Sequence, residues 1–241
     1  MKENLKSDDV IEALCMFADE NKAKILSRFF KTGKGEYGEG DIFLGLKNPE
    51  VKMVVKESLG LSFQEIQKLI DSPYHEVRLC GFLILVTLYS KNKKNISKQE
   101  EIVDFYLLNS HKANNWDLVD LSAPKILGYW LKDKDRTILY DYAKSENLWQ
   151  NRIAIVSTWT IIREYDYKDT LALSDILISH PHDLIRKAVG WMLREVGKKD
   201  KELLLDYLEE NKKRLSRTSL RYAIEKLSDE ERQYFMKSSL K

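Results

Sequence analysis

Cysteine is scarce. Cys15 and Cys80 are the two cysteines in 241 residues, and they form no CxxC pair. That excludes a disulfide framework and favours a reducing compartment in which both thiols simply pack. Proline and glycine are also few, at four and ten, so long helices have room to run. No hydrophobic stretch approaches the roughly 20 residues of a membrane-spanning helix; the longest, "FLILVTLY", ends within eight. The start, "MKENLKSDDV", is polar and reads as neither a secretory signal nor a transit peptide. Histidines 75, 111, 180 and 182 show no HExxH or other metal spacing, so no metal and no cofactor are expected. A dominant charge is missing too. The net charge of +2 neither demands nor excludes a polyanion, because local patches outweigh the sum.

What is present is a soluble, globular balance of 43% apolar and 32% charged residues, on a chain long enough for a sizeable core. Apolar residues recur at helical spacing, as in Val10, Leu14 and Phe17, in Ile66, Leu69 and Ile70, and in Ile102, Phe105 and Tyr106. The alternation of strands is missing. The pattern predicts an all-α fold.

A repeat is visible within it. "HEVRLCGFLIL", "NWDLVDLSAPKIL", "LWQNRIAIVSTW", "DLIRKAVGWML" and "RTSLRYAIEKL" each run from polar residues through one charged pivot into an apolar stretch. The pivots Arg78, Asp120, Arg152, Lys187 and Arg221 stand 42, 32, 35 and 34 residues apart. Shorter amphipathic segments lie between them. Helix pairs of that length, stacked in series, are the pattern of HEAT-like or armadillo-like solenoids. No linker interrupts them, so one curved domain is expected over 1–241, with a helical N-terminal part to about residue 60 and repeats over about 61–235. Pro73 and Pro181, shortly ahead of two pivots, are placed where proline can open a helix.

Four pivots are cationic and one, Asp120, is acidic. Cations one repeat apart can follow a phosphate backbone, and a carboxylate among them stays ionised. The plainer alternatives are that Arg78 and Arg221 make structural hydrogen bonds and that Asp120 is a helix-start acid. Pro124 bears on the second, because it lacks the N–H that would bond the carbonyl of residue 120, and the helix should break there. Among the tryptophans, Trp130, Trp149 and Trp159 read as core. Trp116 and Trp191 stand one turn from pivots, and their indole faces would suit a cationic ligand. Gly33, Gly35 and Gly38 spell GxGxxG, but no strand precedes them, and a mobile connection between helices is the better reading than a nucleotide fingerprint.

Four stretches in order, "YGEGDIFLGLKNPEVK", "NNWDLVD", "SENLWQNRIAI" and "DLIRKAVGWMLREVGK", resemble the AlkD-like DNA alkylation repair glycosylases, a HEAT-like repeat family. The resemblance implies monofunctional removal of cationic N3- or N7-alkylated purines from double-stranded DNA. A cytoplasmic monomer that engages no membrane is expected from the rest of the sequence. The resemblance matches Asp120 to the catalytic carboxylate, Trp116 and Trp191 to aromatics bordering the deoxyribose, and Arg152 to a phosphate-gripping arginine. Lys187, Arg78 and Arg221 are candidate DNA contacts. It also implies a site that holds the damaged nucleotide by backbone and sugar rather than in a base-flipping pocket. Two other readings compete: a non-catalytic repeat protein that binds duplex or branched DNA, and a protein-binding adaptor.

Overall fold

A computed structural model describes residues 5–238. Among the described residues every regular element is a helix, with one isolated bridge between Ile42 and Tyr74 and no strand. The chain divides into two compact units, residues 1–122 and 123–241, and each is described by itself.

The first unit contains α1 (Ser7–Cys15), α2 (Glu20–Phe29), α3 (Asn48–Glu57), α4 (Phe63–Ile70), α5 (His75–Lys91), α6 (Ile96–Leu108) and α7 (Trp116–Ser122). Side-chain caps start several of them. Asp19, Ser62 and Asn95 accept backbone N–H groups at the N-termini of α2, α4 and α6, donors the helix itself leaves unpaired. The centre is α5, against which α3, α4, α6 and α7 pack. Every residue from His75 to Leu85 is buried, which explains a segment apolar nearly all round. Gly81 permits this, since a Cβ there would press on Ile70 and Leu69 of α4.

The second unit contains α8 (Leu127–Trp130), α9 (Thr137–Lys144), α10 (Leu148–Ile162), α11 (Lys168–Leu177), α12 (Asp183–Gly197), α13 (Lys201–Asn211), α14 (Arg217–Ala223) and α15 (Asp229–Ser238). Here α10 packs on α12 and α12 on α14, with α9, α11 and α13 set alongside. The 15-residue helices α10 and α12 therefore alternate with the shorter α9, α11 and α13, the stacking of a helical-repeat protein. Gly190 lets α12 and α14 approach closely, because a Cβ would meet the Ser219 carbonyl.

The five pivots fall at equivalent places. Arg78 is the fourth residue of α5, and Asp120, Arg152, Lys187 and Arg221 are each the fifth of α7, α10, α12 and α14. Two expectations need correction. Pro73 and Pro181 lie outside the N-cap residues Tyr74 and His182 rather than at the first helical position. Of the three tryptophans read as core, Trp149 is buried, but Trp130 and Trp159 are half-buried, with Lys134 and Arg163 over their rings. An indole on the margin keeps most of its apolar burial and gains a cation–π contact.

Candidate active site

Asn115, fully buried, accepts the Trp116 N–H at 2.8 Å as α7 begins. The helix then lasts two turns. It stops at Ser122, and a 3-10 turn over Ala123–Lys125 carries Pro124, the break that the missing N–H of Pro124 demands. Trp116 and Asp120, four apart, share one face. Both line a hollow of about 350 Å³ in the first unit, whose other walls include Phe29, Phe30, Phe43 and Leu121. Trp116 stacks on Phe30 with centroids 5.2 Å apart and meets the edge of Phe29 at 6.0 Å. Phe29 is 61% exposed, so the aromatic group reaches the surface. Asp120 is half-buried and shares the hollow with the carboxylates of Asp117 and Glu76 and with the rings of Trp116, Phe29, Phe30 and Phe43.

Behind this hollow lies a buried ionic cluster. His75, 1% exposed, has Nδ1 3.1 Å from Asp41 and Nε2 2.9 Å from Asp117. Arg78 donates from Nη2 to the other oxygen of Asp41 at 2.5 Å, and Asn114 and Asn115 donate to the same carboxylate. Burial alone would depress the basicity of His75, but its bonds to Asp117 and Asp41 raise its pKa to about 9. Burial of Asp41 is likewise outweighed, by His75 and Arg78, and its carboxyl is held below the usual range. Next to His75, Glu76 accepts the backbone N–H groups of Leu44, Gly45 and Leu46 at 2.9–3.1 Å. The cluster thus ties residues 41–46 and 114–117 to the first turn of α5.

This accounts for the glycine-rich stretch. Residues 31–41 do connect helices, as a turn with hydrogen bonds of its own. Glu36 and Glu39 accept N–H bonds from Gly33 and Gly35, and Gly38 fits against the Phe30 carbonyl where a Cβ would clash. The turn ends by delivering Asp41 to the cluster.

Arg78 needs correction as a candidate DNA contact. It is buried, and Nη1 donates to the carbonyls of Ser72 and Pro73 while Nη2 holds Asp41. Its structural role follows from the cost of leaving Asp41 buried without a cation.

In the second unit Arg152 is 5% exposed and donates from Nη1 to the Leu184 carbonyl at 2.6 Å. Lys187, half-buried, pairs with Asp183 at 2.7 Å. Both lie close to His182: burial, together with Arg152, Arg186 and Lys187, keeps that imidazole below its ordinary pKa against the pull of Asp183. Trp191 is half-buried, and its Nε1–H donates to Glu195 at 3.2 Å. Arg221 is exposed, beside Asp229 and Arg232. The sequence brought Asp120 and Trp116 to notice but not Asp41, His75 or Asp117. Asp117 stands inside "NNWDLVD" and His75 heads "HEVR", yet the only local signal was their place beside a pivot or an indole. Their pairing spans 42 residues.

A larger hollow, of about 1050 Å³, is lined by α1, α3 and the C-terminal end of α5, with mainly apolar walls. It contains none of the candidates. Among the described residues no group of three or more His, Cys, Asp or Glu could hold a metal ion, and no helix is long and apolar enough to cross a membrane.

A family model described as DNA alkylation repair enzyme matches residues 10–227. Among solved structures, the chain is similar to a predicted DNA alkylation repair enzyme from Enterococcus faecalis, with a TM-score of 0.71 and 21% identity, over 88% of this chain and 97% of that one. At that identity the likeness establishes a shared fold. No curated protein matches the chain.

Proposed function

Because the chain belongs to the family of DNA alkylation repair enzymes, we propose that it is a monofunctional DNA glycosylase, acting as a monomer on cationic N3- or N7-alkylated purines in duplex DNA. The observation that carries this reading is the placement of Asp120 and Trp116 on one wall of an aromatic hollow that reaches the surface.

An alkylated purine already bears positive charge, so its bond to C1′ can break without a strong acid. The bonding pair leaves with the base, which becomes neutral. Positive charge passes to the deoxyribose as an oxocarbenium-like species. A carboxylate aimed at that ring stabilises charge that is absent from the ground-state sugar, which is the form of binding that accelerates a reaction. Asp120 also orients the water that adds to C1′ and accepts its proton. The indole of Trp116 against the sugar adds cation–π attraction of roughly 0.5–2 kcal/mol.

Trp191 and Arg152 are assigned by resemblance, to the deoxyribose and to a backbone phosphate. Arg152→Ala should reduce the salt dependence of DNA binding by about one phosphate contact; an unchanged slope assigns Arg152 to the packing around Leu184. The decisive test uses duplex DNA carrying N7-methylguanine. Wild-type protein should release the free base, and Asp120→Asn should do so at least 100-fold more slowly. Equal release by both removes the catalytic role of Asp120. Salt-sensitive DNA binding without release would favour the non-catalytic binder, and negligible DNA affinity at physiological salt would favour the adaptor.

A further inference from the structure

Three separate pieces of chain meet at His75. The glycine-rich turn supplies Asp41, α5 supplies His75 and Arg78, and the start of α7 supplies Asp117. Both ring nitrogens face carboxylate oxygens, at 3.1 and 2.9 Å. An ionised carboxylate only accepts hydrogen bonds, so satisfying both contacts takes an N–H on each nitrogen. The ring is then an imidazolium. A neutral ring would set a lone pair against a buried carboxylate, a costly arrangement at 1% exposure.

The same ring is tied to Trp116 by two routes. One runs through the hydrogen bond to Asp117, the next residue after Trp116 in the chain. The other runs through aromatic faces: His75 lies on Phe43 at 4.5 Å and on Phe30 at 5.0 Å, and Phe30 stacks under the Trp116 indole. Asp120, one turn further along α7, follows any shift of that helix. Asp120 and Lys47 line the same hollow as His75. Arg78 holds the far oxygen of Asp41, and Glu76 is turned to the backbone of residues 44–46.

We propose that His75, held as an imidazolium between Asp41 and Asp117, is a positioning residue for base release, fixing α7 so that Trp116 and Asp120 address the deoxyribose. The proposal rests on the glycosylase reading given above.

The test combines spectroscopy with kinetics. Long-range proton–nitrogen NMR of the wild type should show both His75 nitrogens protonated at pH 7.5; a neutral ring there overturns the proposal whatever the activity. His75→Gln should lower single-turnover release from N7-methylguanine duplex 10- to 100-fold while its Kd for that DNA changes less than about threefold. Release equal to wild type would make His75 a structural residue only. Should His75→Gln fail to fold, Asp117→Asn keeps an acceptor for Nε2–H but removes one charge. It should cut the rate about 3- to 10-fold and move the alkaline limb of the pH–rate profile to lower pH. A limb that stays in place overturns the proposal. Absence of base release by wild-type protein sinks the glycosylase reading, and is told apart from these outcomes because it appears before any substitution.

Discussion

The two units bury polar groups in different ways. In residues 1–122 the interior holds ions: Asp41, His75, Arg78 and Asp117 form a cluster with two negative and two positive charges. In residues 123–241 the corresponding long helix, α10, buries one cation, Arg152, which donates to the Leu184 carbonyl, beside Asn151, Ser157, Thr158 and Thr160, neutral groups that mostly bond backbone carbonyls. The difference is one of stakes. A neutral hydroxyl can be replaced at little cost, whereas a buried charge stripped of its partner is destabilising by several kcal/mol. An ion cluster therefore tolerates few alternative arrangements, and it stands in the unit that carries the candidate carboxylate and indole.

The contrast can be broken most forcefully at Asp41. Asp41→Ala leaves His75 and Arg78 buried without their shared acceptor and should cost about 3–5 kcal/mol in chemical denaturation; a loss under 1 kcal/mol would mean the cluster is not an ionic one. Alkaline titration reaches the same cluster without mutation. The pKa of His75 in the fold, about 9, lies above the ordinary 6.5. Its contribution is therefore complete below about pH 6.5 and disappears as pH rises through 9. Stability should decline across that window in the wild type and stay flatter in His75→Gln.

Packing in the second unit gives the next largest effect. Gly190→Ala, by forcing α12 off the Ser219 carbonyl, should cost about 2–3 kcal/mol in thermal unfolding. Thr160→Val removes a hydroxyl that donates to the Pro124 carbonyl at 2.5 Å and should cost about 1–2 kcal/mol. The smallest change sharpens the comparison. The buried Ser157 hydroxyl has no hydrogen-bond partner among the described residues, so Ser157→Ala should be neutral within about 0.5 kcal/mol or slightly stabilising. A loss as large as that of Asp41→Ala would erase the distinction between the units.

Much of this was legible in the residues. Helical spacing marked the helices, because burial of one face leaves a 3.6-residue imprint. The five pivots each landed in the second turn or late first turn of a helix, since a charged residue near a helix start is tolerated where the apolar stretch after it is buried. Pro124 announced the end of α7 through chemistry confined to one peptide unit. Arg78 and Arg152 were harder. Arg78 read either as a phosphate contact or as a structural donor, and Arg152 as a phosphate grip by resemblance; both are 5% exposed, and sequence shows that a charge exists, not which neighbour it meets.

Taken alone, the order of residues determined the helical class, the repeat spacing and the pairing of Trp116 with Asp120, because each depends on groups within a turn or two of one another. Only the folded chain decided that Asp41, His75 and Asp117 form one cluster, that the glycine-rich stretch is the arm that brings Asp41 to it, and that Arg78 serves the interior. Those outcomes depend on side chains separated by 34 to 42 residues, brought together by helix packing, and on the cost of burying a charge without its partner.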